Sequence, residues 1–116
     1  MSFQLVWTDG ASKTYAGLRA AAIAAGEARK KSGEKKTSKP GGLFKQVVKC
    51  VQLLLANPRH PGHPTHEYYS IENPYKKSEK VFEAYVQSRT PGAYSLFWCY
   101  GPVKGEITIL AITAHP

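Results

Sequence analysis

The side chains best suited to chemistry are four histidines and two arginines: His60, His63, His66 and His115, with Arg59 and Arg89. Imidazole gains and loses a proton near neutrality. The planar guanidinium fork pairs bidentately with phosphate oxygens. Together these types suit cleavage of a phosphodiester without a metal, which needs a base for a hydroxyl proton, an acid for the leaving oxygen and a cation for the charged intermediate. Tyr68 follows His66 by two residues, so in a strand His66, Tyr68 and Ser70 share one face. The plainer readings are a loop cation in solvent for each arginine and a frayed terminal residue for His115. The series His60-x-x-His63-x-x-His66 has metal-like spacing, but Pro61 and Pro64 favour an extended chain in which three residues advance about 9 Å. Zinc ligands must converge to about 2.0–2.1 Å from the ion. No metal and no cofactor is therefore expected. Cys50 and Cys99 are far apart and lack a neighbouring histidine motif, so they read as reduced thiols. Gly41-Gly42 and Gly62 read as turn glycines, and no glycine-rich phosphate loop is present.

Charge is unevenly spread. The 116 residues carry a net charge of +8. Residues 10–50 hold ten basic residues and two acids, whereas the remainder holds six of each. Such a field attracts a polyanion. Arg29, Lys30, Lys31, Lys35, Lys36, Lys39 and Lys45 are the candidate nucleic-acid contacts, with His60 and His63 as imidazoles able to touch phosphate. A solvated connection and an acidic protein partner are the other readings of the same run.

These side chains need a scaffold, and the composition supplies one. Hydrophobic residues make up 42% and charged residues 21%, which fits one globular domain over 1–116 and excludes a wholly disordered chain. No apolar run approaches the roughly 18–20 residues that span a bilayer. The opening MSFQLVWTDG lacks the features of a signal peptide, so a cytoplasmic protein with no membrane role is expected.

Residues 3–8 alternate as a short strand, followed by Asp9 or Ser12 as the cap of a helix over 11–31. Its buried stripe is Tyr15, Leu18, Ala22 and Ala25. Residues 32–42 read as a polar connection. A second helix over Leu43–Ala56 carries Phe44, Val47, Val48, Val51, Leu54 and Leu55 at helical spacing, and Asn57-Pro58 ends it. From residue 65 the period changes to 2, predicting strands over Thr65–Ile71, Lys80–Gln87, Ala93–Tyr100 and Glu106–Thr113. The last two are apolar on both faces and so central. Of the aromatic cluster Tyr94, Phe97, Trp98 and Tyr100, core packing is the expected role. Tyr68 and Tyr69 point to opposite faces. The fold class is α+β: an N-terminal strand, a helical hairpin covering one face, then a four-stranded, mainly antiparallel sheet.

This order resembles the RelE/ParE superfamily of toxins from type II toxin–antitoxin modules. The resemblance is carried by Trp7 in the opening strand, the helical hairpin, Asn57-Pro58-Arg59, the strand Val81–Val86, the segment Pro91–Trp98 and the last strand ending in Thr113-Ala114-His115. It implies a toxin held by an acidic antitoxin. It also implies either cleavage of mRNA on the ribosome, as in RelE-like members, or inhibition of DNA gyrase, as in ParE-like members; a relative that only binds RNA or a partner is the third reading. The resemblance implies a catalytic side chain near His115, which is then the acid or base; Arg59 or Arg89 as phosphate binder, and His66 and Tyr68 as further catalytic candidates, come from the residue types themselves. Family members often place Arg after Gly-x-Tyr; here Gly92-Ala93-Tyr94 is followed by Ser95.

Overall fold

Two periodicities become two layers. The computed structural model describes residues 3–33, 38–58, 65–87 and 92–114. The elements are β1 (Gln4–Trp7), α1 (Asp9–Ser32), α2 (Lys39–Ala56), β2 (Thr65–Tyr68), β3 (Val81–Tyr85), β4 (Tyr94–Tyr100) and β5 (Glu106–Ala114). The five strands form one sheet in the order β1-β5-β4-β3-β2. β1 runs parallel to β5, and the other pairs are antiparallel. The helices pack on one face. There Val47, Cys50, Val51 and Leu54 of α2 and Ala11 of α1 meet Phe82, Ala84, Leu96, Trp98, Ile107, Ile109 and Ile112. The expected stripe of α1 is half-buried along its length, with Tyr15 packed at a tilt between Trp7 and Phe44 at ring distances of 4.9 and 5.3 Å.

The caps differ from expectation. Thr8, not Asp9 or Ser12, caps α1: its Oγ1 accepts from the Ala11 N–H at 3.2 Å and donates to the Leu110 carbonyl at 2.9 Å. One hydroxyl thus satisfies a free helix donor and ties the helix start to β5. Thr8→Val keeps the shape and removes both bonds, so stability falls by about 1–2 kcal/mol. Urea denaturation reads this directly; an unchanged midpoint contradicts the double role.

α2 starts four residues earlier than the hydrophobic pattern predicts. Ser38 Oγ accepts from the Gly41 N–H at 3.0 Å, and Pro40 sits in the first turn, where its missing donor is harmless and its φ is already helical. Gly41 and Gly42 are therefore helical rather than turn glycines. Their low propensity was overridden by cap and proline together. At the other helix junction, Gly33 takes a left-handed φ of 75° and returns its N–H to the Arg29 carbonyl at 2.9 Å, which closes α1.

β5 also departs from the simple alternation. A bulge lies between pairs Phe97↔Ala111 and Trp98↔Ile109, leaving Leu110 as the extra residue. The bulge shifts the phase, so Ile107, Ile109 and Ile112 all join the helix-side core, despite the odd spacing between the last two. β5 is thus apolar mainly toward the helices. β4 is apolar on both faces as expected: Leu96 and Trp98 face the helices, and Phe97 and Cys99 lie on the opposite face, all four buried. β2 ends at Tyr68, three residues short of Ile71, and Ser70 lies outside it. β3 is likewise shorter than Lys80–Gln87 at both ends. Asn73 explains how the chain turns between them. Its Oδ1 accepts from the N–H groups of Tyr75 and Lys76, and its Nδ2 donates to the Lys80 carbonyl, so the segment folds on itself instead of extending the strand.

Candidate active site

The face turned away from the helices carries the reactive groups. Alternation puts His66 and Tyr68 of β2, Glu83 and Tyr85 of β3, and Ser95, Phe97 and Cys99 of β4 on it. Register sets Glu83 directly opposite both His66 and Phe97, and Tyr85 opposite Ser95. His66 Nε2 lies 3.0 Å from Glu83 Oε1. The carboxylate side chain is 3% exposed and the imidazole 39%, so the acid is sealed in while the base opens to solvent. A carboxylate only accepts. The nitrogen facing it therefore carries the proton, and Nδ1 of the neutral ring is left as the basic atom. Two aromatic pairs frame the site: His66 lies 5.2 Å from the Tyr85 ring, and Tyr68 lies 4.6 Å from Phe97. The arrangement is a histidine base, oriented by a buried carboxylate, beside aromatic surfaces that can stack on a base.

Glu83 was missed as a site residue. In sequence it is one acid within Val81–Val86, and nothing local says that it faces a histidine on another strand. An acid placed mid-strand among apolar residues is itself the signal that it needs a buried partner.

The other candidates are distributed differently. His66 and Tyr68 are brought together. Arg59, Arg89, His60, His63, His115, Lys35 and Lys36 lie outside the described residues. Ser95, where the resemblance leads one to expect Arg, is 1% exposed and paired with Tyr85 and Thr113 in register. Among the described strand residues, none on this face is Lys or Arg. Lys30, Lys31, Lys39 and Lys45 are exposed on the helices and Arg29 is half-buried there, so they belong to the other layer. α1 and α2 together hold eight basic residues against two acids, whereas the described residues from 65 onward hold four lysines against five glutamates. The positive field and the His66–Glu83 pair thus occupy opposite layers.

No group of three or more metal-ligating side chains converges among the described residues, and no helix among them is long and apolar enough to cross a membrane. The cysteines are free and buried. Burial pushes the Cys50 thiol up to about 12 and that of Cys99 to about 11, the opposite of the lowered pKa that marks a reactive thiol. Because the folded state holds the Cys50 proton more tightly than the unfolded chain does, that stability is complete below about 9 and is lost as the pH rises toward about 12. The urea midpoint should therefore fall on the alkaline side, and less steeply in Cys50→Ala; parallel slopes for the two proteins would rule this linkage out.

Neither a family model nor a curated protein matches the sequence. Solved structures do match along the whole chain. A chain of the archaeal RelE–RelB complex from Pyrococcus horikoshii OT3 is 10% identical with a TM-score of 0.54, covering 98% of this chain and 96% of that one. The YoeB/ParE toxin from Agrobacterium tumefaciens is 7% identical with a TM-score of 0.58, covering 97% and 99%. The chain has the RelE/ParE toxin fold. Within this fold the strand-hairpin-sheet order, the parallel β1–β5 pair and the helix-free face carrying His66 and Glu83 all follow from one topology. At such low identity the RelE/ParE fold constrains the backbone and leaves the site chemistry to this chain's own residues.

Proposed function

We propose that this chain is a RelE-like toxin that cuts mRNA on the ribosome without a metal, and that an acidic antitoxin neutralises it. The observation that carries the reading is the His66–Glu83 pair, 3.0 Å apart on the sheet face free of helices. His66 Nδ1 takes the 2′-hydroxyl proton, and the hydroxyl oxygen attacks the adjacent phosphorus. Glu83 holds the ring and stabilises the imidazolium that forms, because a buried carboxylate interacts strongly with an adjacent cation. His115 supplies the proton to the leaving 5′-oxygen. Arg59 or Arg89 offsets the charge on phosphorus. Tyr68 and Tyr85 flank the reacting nucleotide. The basic set on the helices, with Lys35, Lys36, His60 and His63, gathers polyanions without sequence preference. The same positive layer suits an acidic antitoxin segment, in keeping with the RelE–RelB neighbour, whose toxin is seen with its partner. The proposal places the toxin in the cytoplasm, where ribosomes are.

Gyrase inhibition of the ParE kind is the second reading. Ser95 in place of an expected Arg favours it, together with the lack of Lys and Arg among the described strand residues of the open face. Adding the purified chain to a translation extract separates the two. Mapped mRNA ends that appear only when ribosomes are present support cleavage. Intact mRNA, with supercoiling by purified gyrase blocked, supports ParE-like action.

A further inference from the structure

A second cleft lies at the end of the sheet where β4 leaves for β5, and the proposed chemistry makes no use of it. Its volume is about 640 Å³. Two segments wall it: residues 73–82, from the turn after β2 into β3, and residues 100–104, from the end of β4 into the β4–β5 connection. Two tyrosines line it with their rings part-exposed, Tyr75 at 43% and Tyr100 at 41%, beside Val103 at 63%. Two part-exposed rings in one cleft present an open aromatic surface.

The cleft is held in shape. Tyr75 Oη lies 2.8 Å from Thr108 Oγ1, which also donates to the Gly101 carbonyl at 2.9 Å. The Tyr75 ring sits over Gly101, where a Cβ would come within 3.3 Å of it; Gly101 also has a φ of 111°, which a side chain would strain. Asn73, 5% exposed, pins the turn that presents Tyr75. On the opposite wall the Tyr100 ring packs edge-on to Trp98 at 5.0 Å. Both rings are therefore fixed before any ligand arrives, which reduces the ordering cost of binding.

The charge completes the pattern. The lining holds one acid, Glu79, beside Lys80; Lys76 and Lys104 also line the cleft and are exposed. Neither forms an ion pair among the described residues, unlike Lys80 with Glu67 and Lys77 with Glu72. Aromatic faces with adjacent free cations suit a base and its phosphate. An acidic peptide would use the lysines but gain little from two fixed ring faces.

The geometry points to a subsite for one nucleotide of single-stranded RNA in this cleft, its base against Tyr75 or Tyr100 and its phosphate between Lys76 and Lys104. Tyr100 lies three residues along β4 from Phe97, the register partner of Glu83, or about 10 Å. Tyr75, bonded to Thr108 opposite Cys99, marks the open-face side of the cleft, and Tyr100 alternates to the helix side, so a strand from the open face enters past Tyr75. The assignment to RNA rests on the reading of the chain as a nuclease, whereas base-and-phosphate binding rests on the cleft alone.

The test is amide chemical-shift titration of the full chain with a single-stranded RNA heptamer, the same sequence as a duplex, and adenosine monophosphate. The heptamer should shift Tyr75, Lys76, Tyr100 and Lys104. Its affinity should drop about tenfold in Lys76→Ala/Lys104→Ala and about tenfold in Tyr75→Leu. Both lysines are exposed, so the double variant folds even if Tyr75→Leu does not. Unmoved cleft amides, equal binding of the duplex there, or affinity unchanged in the double variant would each overturn the subsite. A mononucleotide that binds as tightly as the heptamer would overturn the strand and leave a nucleotide pocket. Cleavage of mRNA with silent cleft amides sinks this inference and spares the nuclease reading; binding in the cleft by a chain that cuts nothing does the reverse.

Discussion

His66→Ala should slow mRNA cleavage in a translation extract by about 10²–10⁴-fold, the range that a positioned general base supplies. Glu83→Gln should slow it by about 10–100-fold. Gln keeps the size of the side chain but removes the negative charge beside the imidazolium, and a hydrogen bond to a charged group is worth about 1.5–3 kcal/mol. The two effects should not add. Once the imidazole is gone, Glu83 has no base to orient, so the double variant should match His66→Ala alone. A Glu83→Gln variant that cleaves at the full rate would reduce the 3.0 Å pair to a structural contact.

The second large effect is on stability. Trp98 is fully buried and lies face to face with Phe82, at 4.6 Å and 20°. It belongs to the helix-side core between the sheet and the helices. Trp98→Ala should lower unfolding stability by about 3–5 kcal/mol, a large share of the roughly 5–15 kcal/mol that holds a typical domain folded. Trp98→Phe should lose less than half of that. The indole N–H has no hydrogen-bond partner among the described residues, so Phe gives up volume and stacking area but no buried bond. Denaturant titration of the three proteins reads both values. A Trp98→Phe variant as unstable as Trp98→Ala would mean that the indole N–H is bonded after all.

Local signals carried most of the fold. The change of period at residue 65 separated helices from strands, and the two-sided apolar pattern of β4 placed it inside the sheet. Signals spanning more than one element were not legible. Gly41 and Gly42 read as a turn because propensity is local, while Ser38 and Pro40 made the same residues a helix start. The Ile109–Ile112 spacing read as two faces because a bulge cannot be seen without the partner strand. The candidate site divides in the same way. His66 and Tyr68 follow from alternation in one short strand. Glu83 depends on the β2–β3 register, which is fixed by a long connection and the turn at Asn73. The basic run was visible as charge, but only the packing of the helices shows that it lies on the opposite layer from His66.

Pulse labelling of protein and DNA synthesis, minutes after induction of the wild-type chain and of His66→Ala without any antitoxin, decides whether His66 drives mRNA cleavage. The wild type should cause an early collapse of protein synthesis with DNA synthesis continuing, and His66→Ala should cause neither change at equal expression. An early collapse of DNA synthesis alone, or a His66→Ala chain that stops translation as fast as the wild type, would contradict this role.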